Sequence, residues 1–178
     1  KTIRESIGFV LQDNFLFSQS IRDNIALYHE NGVSEEEIIQ SSKHAQLYDN
    51  IMDFPNKFDT IIGERGVTLS GGQKQRLSIA RALIKKPSVL IMDDSLSAVD
   101  TETEEKILRN IDKVTKDITT IIISHRVSTI KHADEIIFLD EGRVVERGTH
   151  NELLNLKGEY FELYERQLLE EEISKEGE

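Results

Sequence analysis

The stretch Leu69–Asp94, LSGGQKQRLSIARALIKKPSVLIMDD, changes its hydrophobic period once, and that change decides the fold. From Ser70 to Lys86 the spacing of Leu77, Ala80, Leu83 and Ile84 predicts a helix; Lys85 and Lys86 suit its negative carboxyl end and Pro87 closes it. Val89–Met92 is then apolar throughout, the pattern of a strand covered on both faces. Thr119–Ile123 (TTIII) repeats that pattern, with a charged amphipathic helix, Asp100–Val114, between the two. The fold class is therefore α/β.

Working outward, Ile136–Leu139 and Arg143–Glu146 flank Asp140-Glu141-Gly142, a hairpin turn signal. Toward the start, Ser6–Leu11 (SIGFVL) reads as a buried strand ending at Gln12. Short helices are expected at Arg22–Tyr28 and at Ser34–Ala45, where Ser34 and Glu37 make the capping-box pattern. Leu47–Phe54 continues the helical region until Pro55. Glu165–Glu178 is acidic and reads as an exposed helix fading into a solvated tail. The expected parts are 1–86 (first strand, helical subdomain and central helix), 87–150 (the rest of the α/β core) and 151–178 (terminal helix and tail).

Composition excludes several classes. The 178 residues are 38% apolar and 31% charged, which is the balance of a soluble globular chain. No run is long and apolar enough to cross a bilayer and no basic-then-apolar leader opens the sequence, so neither a span nor a signal is expected. With no cysteine, disulfides, zinc–thiolate sites and thiol nucleophiles are ruled out. A net charge of −11 disfavours a nucleic-acid partner.

Three places carry chemistry. Ser70-Gly71-Gly72-Gln73 opens the central helix with bare backbone amides and a hydroxyl, either an anion seat or a plain N-cap. Asp93 and Asp94 end a buried strand, where open α/β sheets bind ligands; the pair suits magnesium or is simply a polar strand end. His125 follows the second apolar strand toward the same edge.

Together these elements resemble the nucleotide-binding domain of an ATP-binding-cassette (ABC) transporter, a P-loop NTPase (RecA-like) core with a helical signature subdomain. Gln12 is similar to the Q-loop glutamine, Leu69–Gln73 to the LSGGQ signature, Val89–Asp93 to the Walker B strand, Ser95–Asp100 to the D-loop and His125 to the switch histidine. Thr60–Gly66 resembles the exporter segment that touches the membrane domain, and the span from Gln12 to Leu69 leaves no room for the coiled coil of chromosome-type relatives. The resemblance implies ATP and Mg2+ as cofactors. Asp93 would hold magnesium through water, Gln12 would sense magnesium and water, Asp94 would stand at the base position and His125 would bond the γ-phosphate. Ser70, Gly71, Gly72 and Gln73 would reach a second subunit's nucleotide. Asp100 would either contact the facing subunit or cap the next helix. The implied partners are a second nucleotide-binding domain and a transmembrane domain, met through the Gln12 region and Gly63–Gly66, at the cytoplasmic face of the cell membrane.

Two features depart from the family. No Lys follows a Gly, so the G-x-x-x-x-G-K-[ST] phosphate loop is absent, and its strand is expected to be missing from beside the Walker B strand. Asp94 stands where hydrolytic sites carry Glu, one methylene longer, and so resembles the degenerate-site subunit of a heterodimeric exporter. Arg76 and Arg81 either assist the anion seat of their helix or, the simpler reading, are solvated helix charges. The alternatives are a non-catalytic interaction module and a soluble ABC ATPase.

Overall fold

The computed structural model describes residues 6–12, 15–27, 32–63 and 66–176. It divides into two compact units, Lys1–Ile123 and Ser124–Glu178.

In the first unit β1 (Ile7–Val10) leads to α1 (Ile21–Ile25), α2 (Glu35–His44), α3 (Tyr48–Met52), a 3-10 turn at Lys57–Asp59 and α4 (Gly71–Leu83). β2 (Val89–Asp93), α5 (Thr101–Val114) and β3 (Thr119–Ile123) complete it. The strands form a parallel sheet in the order β1-β2-β3. β2 is thus paired on both edges. The expectation of a vacant place beside the Asp93 strand is corrected: β1 and β3 fill both sides, and among the described residues the unpaired edges of this sheet belong to them.

The sheet is covered on one face. Val10, Leu90 and Met92 are buried with Leu77, Ile79 and Ala80 of α4 and with Ile21, Ile25 and Ile38 of the helices behind it. Each of these side chains larger than alanine stabilises the fold by about 1.5–3 kcal/mol. Gly8 lets β1 approach closely, since a Cβ there would lie 3.0 Å from Pro87 Cγ and 3.2 Å from the Ala82 carbonyl oxygen. On the other face Phe9, Ile121 and Ile123 are 49%, 46% and 51% exposed. The expectation that these apolar strands are covered on both faces, and β1 buried, therefore fails among the described residues. Alternate residues face opposite ways along a strand, and helices pack on one side only.

The helical region follows its local signals. Ser34 Oγ accepts from the Glu37 amide at 3.2 Å while the Glu37 carboxylate accepts from the Ser34 amide at 3.1 Å, the capping box. Glu37 also pairs with Lys86 at 2.7 Å. The Lys86 ammonium, then the Ser34 amide, pull its carboxyl down to about 2. Gln46, at φ 53°, breaks the chain between α2 and α3, so the region does not continue as one helix. Tyr28 lies outside the described residues. α4 stops at Leu83, three residues before Lys86; Lys85 reaches the Ile7 carbonyl at 2.9 Å and Lys86 reaches Glu37, so both basic side chains tie α4's end to other elements.

The second unit contains α6 (Val127–Ile130), β4 (Ile136–Asp140), β5 (Arg143–Gly148), α7 (His150–Leu156) and α8 (Glu159–Glu176). β4 and β5 form the expected antiparallel hairpin; positive φ at Glu141 (45°) and Gly142 (74°) matches the primed turn that suits strand twist. Val127, Ile136, Leu153 and Tyr160 form its core. The Glu146 carboxylate of β5 accepts from the amides of Glu159 (2.5 Å) and Tyr160 (3.2 Å), capping α8 from outside the helix. α8 carries the acidic end as regular helix to Glu176. No helix among the described residues is long and apolar enough to cross a membrane.

Candidate functional site

Because β1 and β2 are parallel, their carboxyl ends reach the same edge of the sheet. Gln12 follows β1 there and Asp93 ends β2, with Asp94 next. Gln12 Nε2 donates to Asp94 Oδ2 at 3.3 Å, so residues 82 positions apart meet. The Asp94 amide donates to the Ile123 carbonyl at 2.8 Å, extending the ladder one step beyond the strand. Its φ of 43° then turns the chain sharply into Ser95–Asp100, an energetically unfavourable conformation for a residue with a Cβ. This edge offers two carboxylates and an amide oxygen. No group of three or more His, Cys, Asp or Glu among the described residues could hold a metal by itself. The donor set fits magnesium, which keeps several waters and takes one or two carboxylates plus phosphate oxygens.

The second element is the start of α4. Ser70 Oγ accepts from the Gln73 amide at 3.2 Å, and Gln73 Oε1 accepts from the Ser70 amide at 2.9 Å. Both side chains are therefore engaged in the helix's own cap, while the Ser70 hydroxyl proton and the Gln73 side-chain amide protons can still donate outward. The Gly71 and Gly72 amides belong to the first turn, which has no intrahelical acceptors for them. A fully formed cap and glycine amides without intrahelical acceptors coexist, so the two readings of this turn from sequence are compatible. Gly72 has a further reason to be glycine: a Cβ there would lie 2.8 Å from the Ala98 carbonyl oxygen.

Asp100 caps α5, its Oδ1 accepting from the Thr103 amide at 2.9 Å, and that bond is the main cause of its lowered pKa. Arg76 and Arg81 are not solvated charges. Arg76 donates to the Gln46 and Gly72 carbonyls, and burial lowers its pKa. Arg81 donates to the Asn24 carbonyl (2.7 Å), Asn24 Oδ1 (2.9 Å) and the Phe15 carbonyl (2.9 Å), fastening α4 to the segment around α1. The long arm and several donors of arginine let it satisfy backbone carbonyls at a distance.

In the second unit, Gln167 of α8 donates to the His125 carbonyl at 2.6 Å and accepts from the Val127 amide at 2.8 Å, clamping the turn that carries the histidine. Nothing in the sequence around Gln167 signals this; a glutamine on a charged helix reads as solvent-facing. Of the exporter-like segment, Ile62 bridges to Val67 and Gly66 donates to the Gly63 carbonyl at 3.0 Å, while Glu64 and Arg65 lie outside the described residues.

The parallel sheet, the acids and glutamine at its carboxyl edge, and the capped glycine turn form an α/β site, and the matches to known proteins make the class a P-loop NTPase fold. Residues 1–97 match the family described as ABC transporter. The chain is 51% identical over 167 residues to an uncharacterized ABC transporter ATP-binding protein, YknU, of Bacillus subtilis, covering 94% of this chain and 28% of that protein. It is 48% identical over 164 residues to a putative multidrug export ATP-binding/permease protein, YgaD, of the same organism, covering 92% and 28%. Among solved structures, a bacterial Atm1-family ABC exporter with ATP bound superimposes with TM-score 0.87 at 45% identity, covering 93% of this chain and 29% of that one. This chain belongs to the ABC transporter family and is a nucleotide-binding domain of the exporter type. It spans less than a third of the length of these relatives.

Proposed function

We propose that this chain acts in a transport-coupled ATPase at the cytoplasmic face of a membrane, lending its Ser70–Gln73 turn to a partner domain's ATP. Asp93, Asp94 and Gln12 form one edge of a second, hydrolysis-impaired site. The observation that carries the reading is the meeting of Gln12 and Asp94 at the carboxyl edge of a parallel sheet. Bound magnesium would neutralise charge on the phosphates during transfer to water.

Asp93 and Gln12 would hold and sense the metal through water. Asp94 would orient the attacking water, and its side chain is one methylene short of a glutamate's. A displacement of about 1 Å costs about a hundredfold in rate, so this site would turn over slowly or not at all. Ser70, Gly71, Gly72 and Gln73 would donate to a terminal phosphate held by the facing domain, which calls for a dimer; with Asp94 impairing this chain's own site, a competent partner makes that dimer a heterodimer. His125 would donate to the γ-phosphate, and Asp100, beyond its capping role, would lie near the dimer contact. The transmembrane partner would be met through the Gln12 region and Gly63–Gly66. The open face with Phe9, Ile121 and Ile123 suits cover by parts of an ABC domain outside this sequence.

In the assembled exporter, Ser70→Arg is expected to abolish ATPase activity, because it fills the donor turn, while Asp94→Asn changes it little. The reverse ranking would remove the assignment. A second reading concerns these 178 residues taken alone: they contain no G-x-x-x-x-G-K-[ST] motif, and by themselves would act as a module that docks without binding nucleotide. Calorimetry of the 178-residue chain with Mg-ATP is expected to show no micromolar binding, and a micromolar isotherm would rule out that module.

A further inference from the structure

Gln75 lies on α4 one turn past the glycines, and sequence reading gave it no role. Its side chain is buried, with 5% exposure. Gln75 Oε1 accepts from the Ala98 amide at 2.9 Å, which fixes the orientation of the side-chain amide, since only its oxygen can receive a backbone N–H. Nε2 then donates to Ser97 Oγ at 3.1 Å. The Ser97 hydroxyl donates onward to the Asp94 carbonyl at 3.0 Å. Each group uses one donor and one acceptor, so the bonds run in one direction and reinforce one another.

Asp94 is thereby held from both sides of its residue. Its amide is fixed by the Ile123 carbonyl and its carbonyl by Ser97, and between them the backbone keeps a φ of 43°. An unfavourable conformation persists where its surroundings over-determine it. The same loop is pressed against the signature turn, with the Ala98 carbonyl against the Gly72 Cα. The glycine turn, the Ser97–Ala98 loop and the Asp94 backbone are thus joined by a polar chain anchored on the buried Gln75 and by a close backbone contact.

We propose that Gln75 is a positioning residue that ties the signature turn to the Ser97–Ala98 loop and the Asp94 backbone, so that the turn is held in place to donate to a partner's nucleotide. This rests on the donor reading of the Ser70 turn given above. A glutamine here sets geometry without touching nucleotide, so its loss lowers turnover and leaves nucleotide affinity in place.

The test uses the full-length exporter. Gln75→Ala is expected to raise hydrogen exchange at the Ala98 amide by about tenfold or more through local opening, with amides of Leu77–Leu83 unchanged. It should lower kcat by about tenfold with KM within about twofold. Ser97→Ala, a small change at an exposed loop position, should give part of the same kcat loss, and the double variant should be no worse than Gln75→Ala. Gln75→Glu keeps the acceptor for Ala98 and so should restore both its exchange protection and most of kcat. Additive losses, unchanged exchange at Ala98, or a loss confined to KM would each overturn the proposal. If Gln75→Ala does not fold, Ser97→Ala alone decides, and full activity there refutes the linkage. Retained activity in Ser70→Arg would remove the donor reading while leaving the Ala98 exchange result to stand or fall separately.

Discussion

The two faces of the β1-β2-β3 sheet come from the same strands and nearly the same residue types, yet they differ sharply. Leu90 is 0% exposed against α4, while Ile121, on the opposite face of the neighbouring strand, is 46% exposed. The pairing register puts Leu90 beside Thr120 on one side and Ile91 beside Ile121 on the other, so one step along a strand separates the regimes. An apolar run thus records what a strand is built to contact, and only the packed face shows that contact within this chain.

The comparison breaks most plainly under truncation. Leu90→Ala is expected to cost about 2–5 kcal/mol in denaturant unfolding of this chain, the usual range for a core leucine. Ile121→Ala should cost less than about 1 kcal/mol, since half its surface already meets water. Equal costs would mean that the open face is covered in solution. Gly8→Ala sharpens the contrast on the packed side. Its Cβ would press on Pro87 and on the Ala82 carbonyl, and a loss of about 1–3 kcal/mol is expected in the same measurement.

The smallest effect lies in the helical layer behind the packed face. Glu37 titrates near 2 in the fold against an ordinary value of 4.5. A carboxylate held below its unfolded pKa contributes stability that is complete above about 4.5 and is lost as pH falls toward 2. Thermal unfolding followed across that window should show this decline in the native chain, and Glu37→Gln should flatten it. An unchanged slope would show that the Glu37–Lys86 pair and its cap do not couple to folding.

These contrasts explain what was legible in the sequence. The capping box at Ser34, the N-cap at Ser70, the Glu141-Gly142 turn and the acids at the end of β2 depend on local geometry, and short patterns carry that information. Arg81, Gln75 and Gln167 were missed because their partners lie 22 to 66 residues away. A side chain's own neighbours say nothing about a carbonyl it will meet only after folding. Strand order was misjudged for a related reason: apolarity marks β2 as interior without naming its neighbours.

β3 has a practical consequence for handling the chain. Among the described residues it pairs only with β2, leaving TTIII with an unsatisfied ladder and two bare isoleucines and no charge or proline to blunt it. Such an edge is a template for strand addition by another copy. At high concentration the chain should therefore precipitate through intermolecular sheet growth, and a lysine in place of Ile121 should delay that without disturbing the packed side.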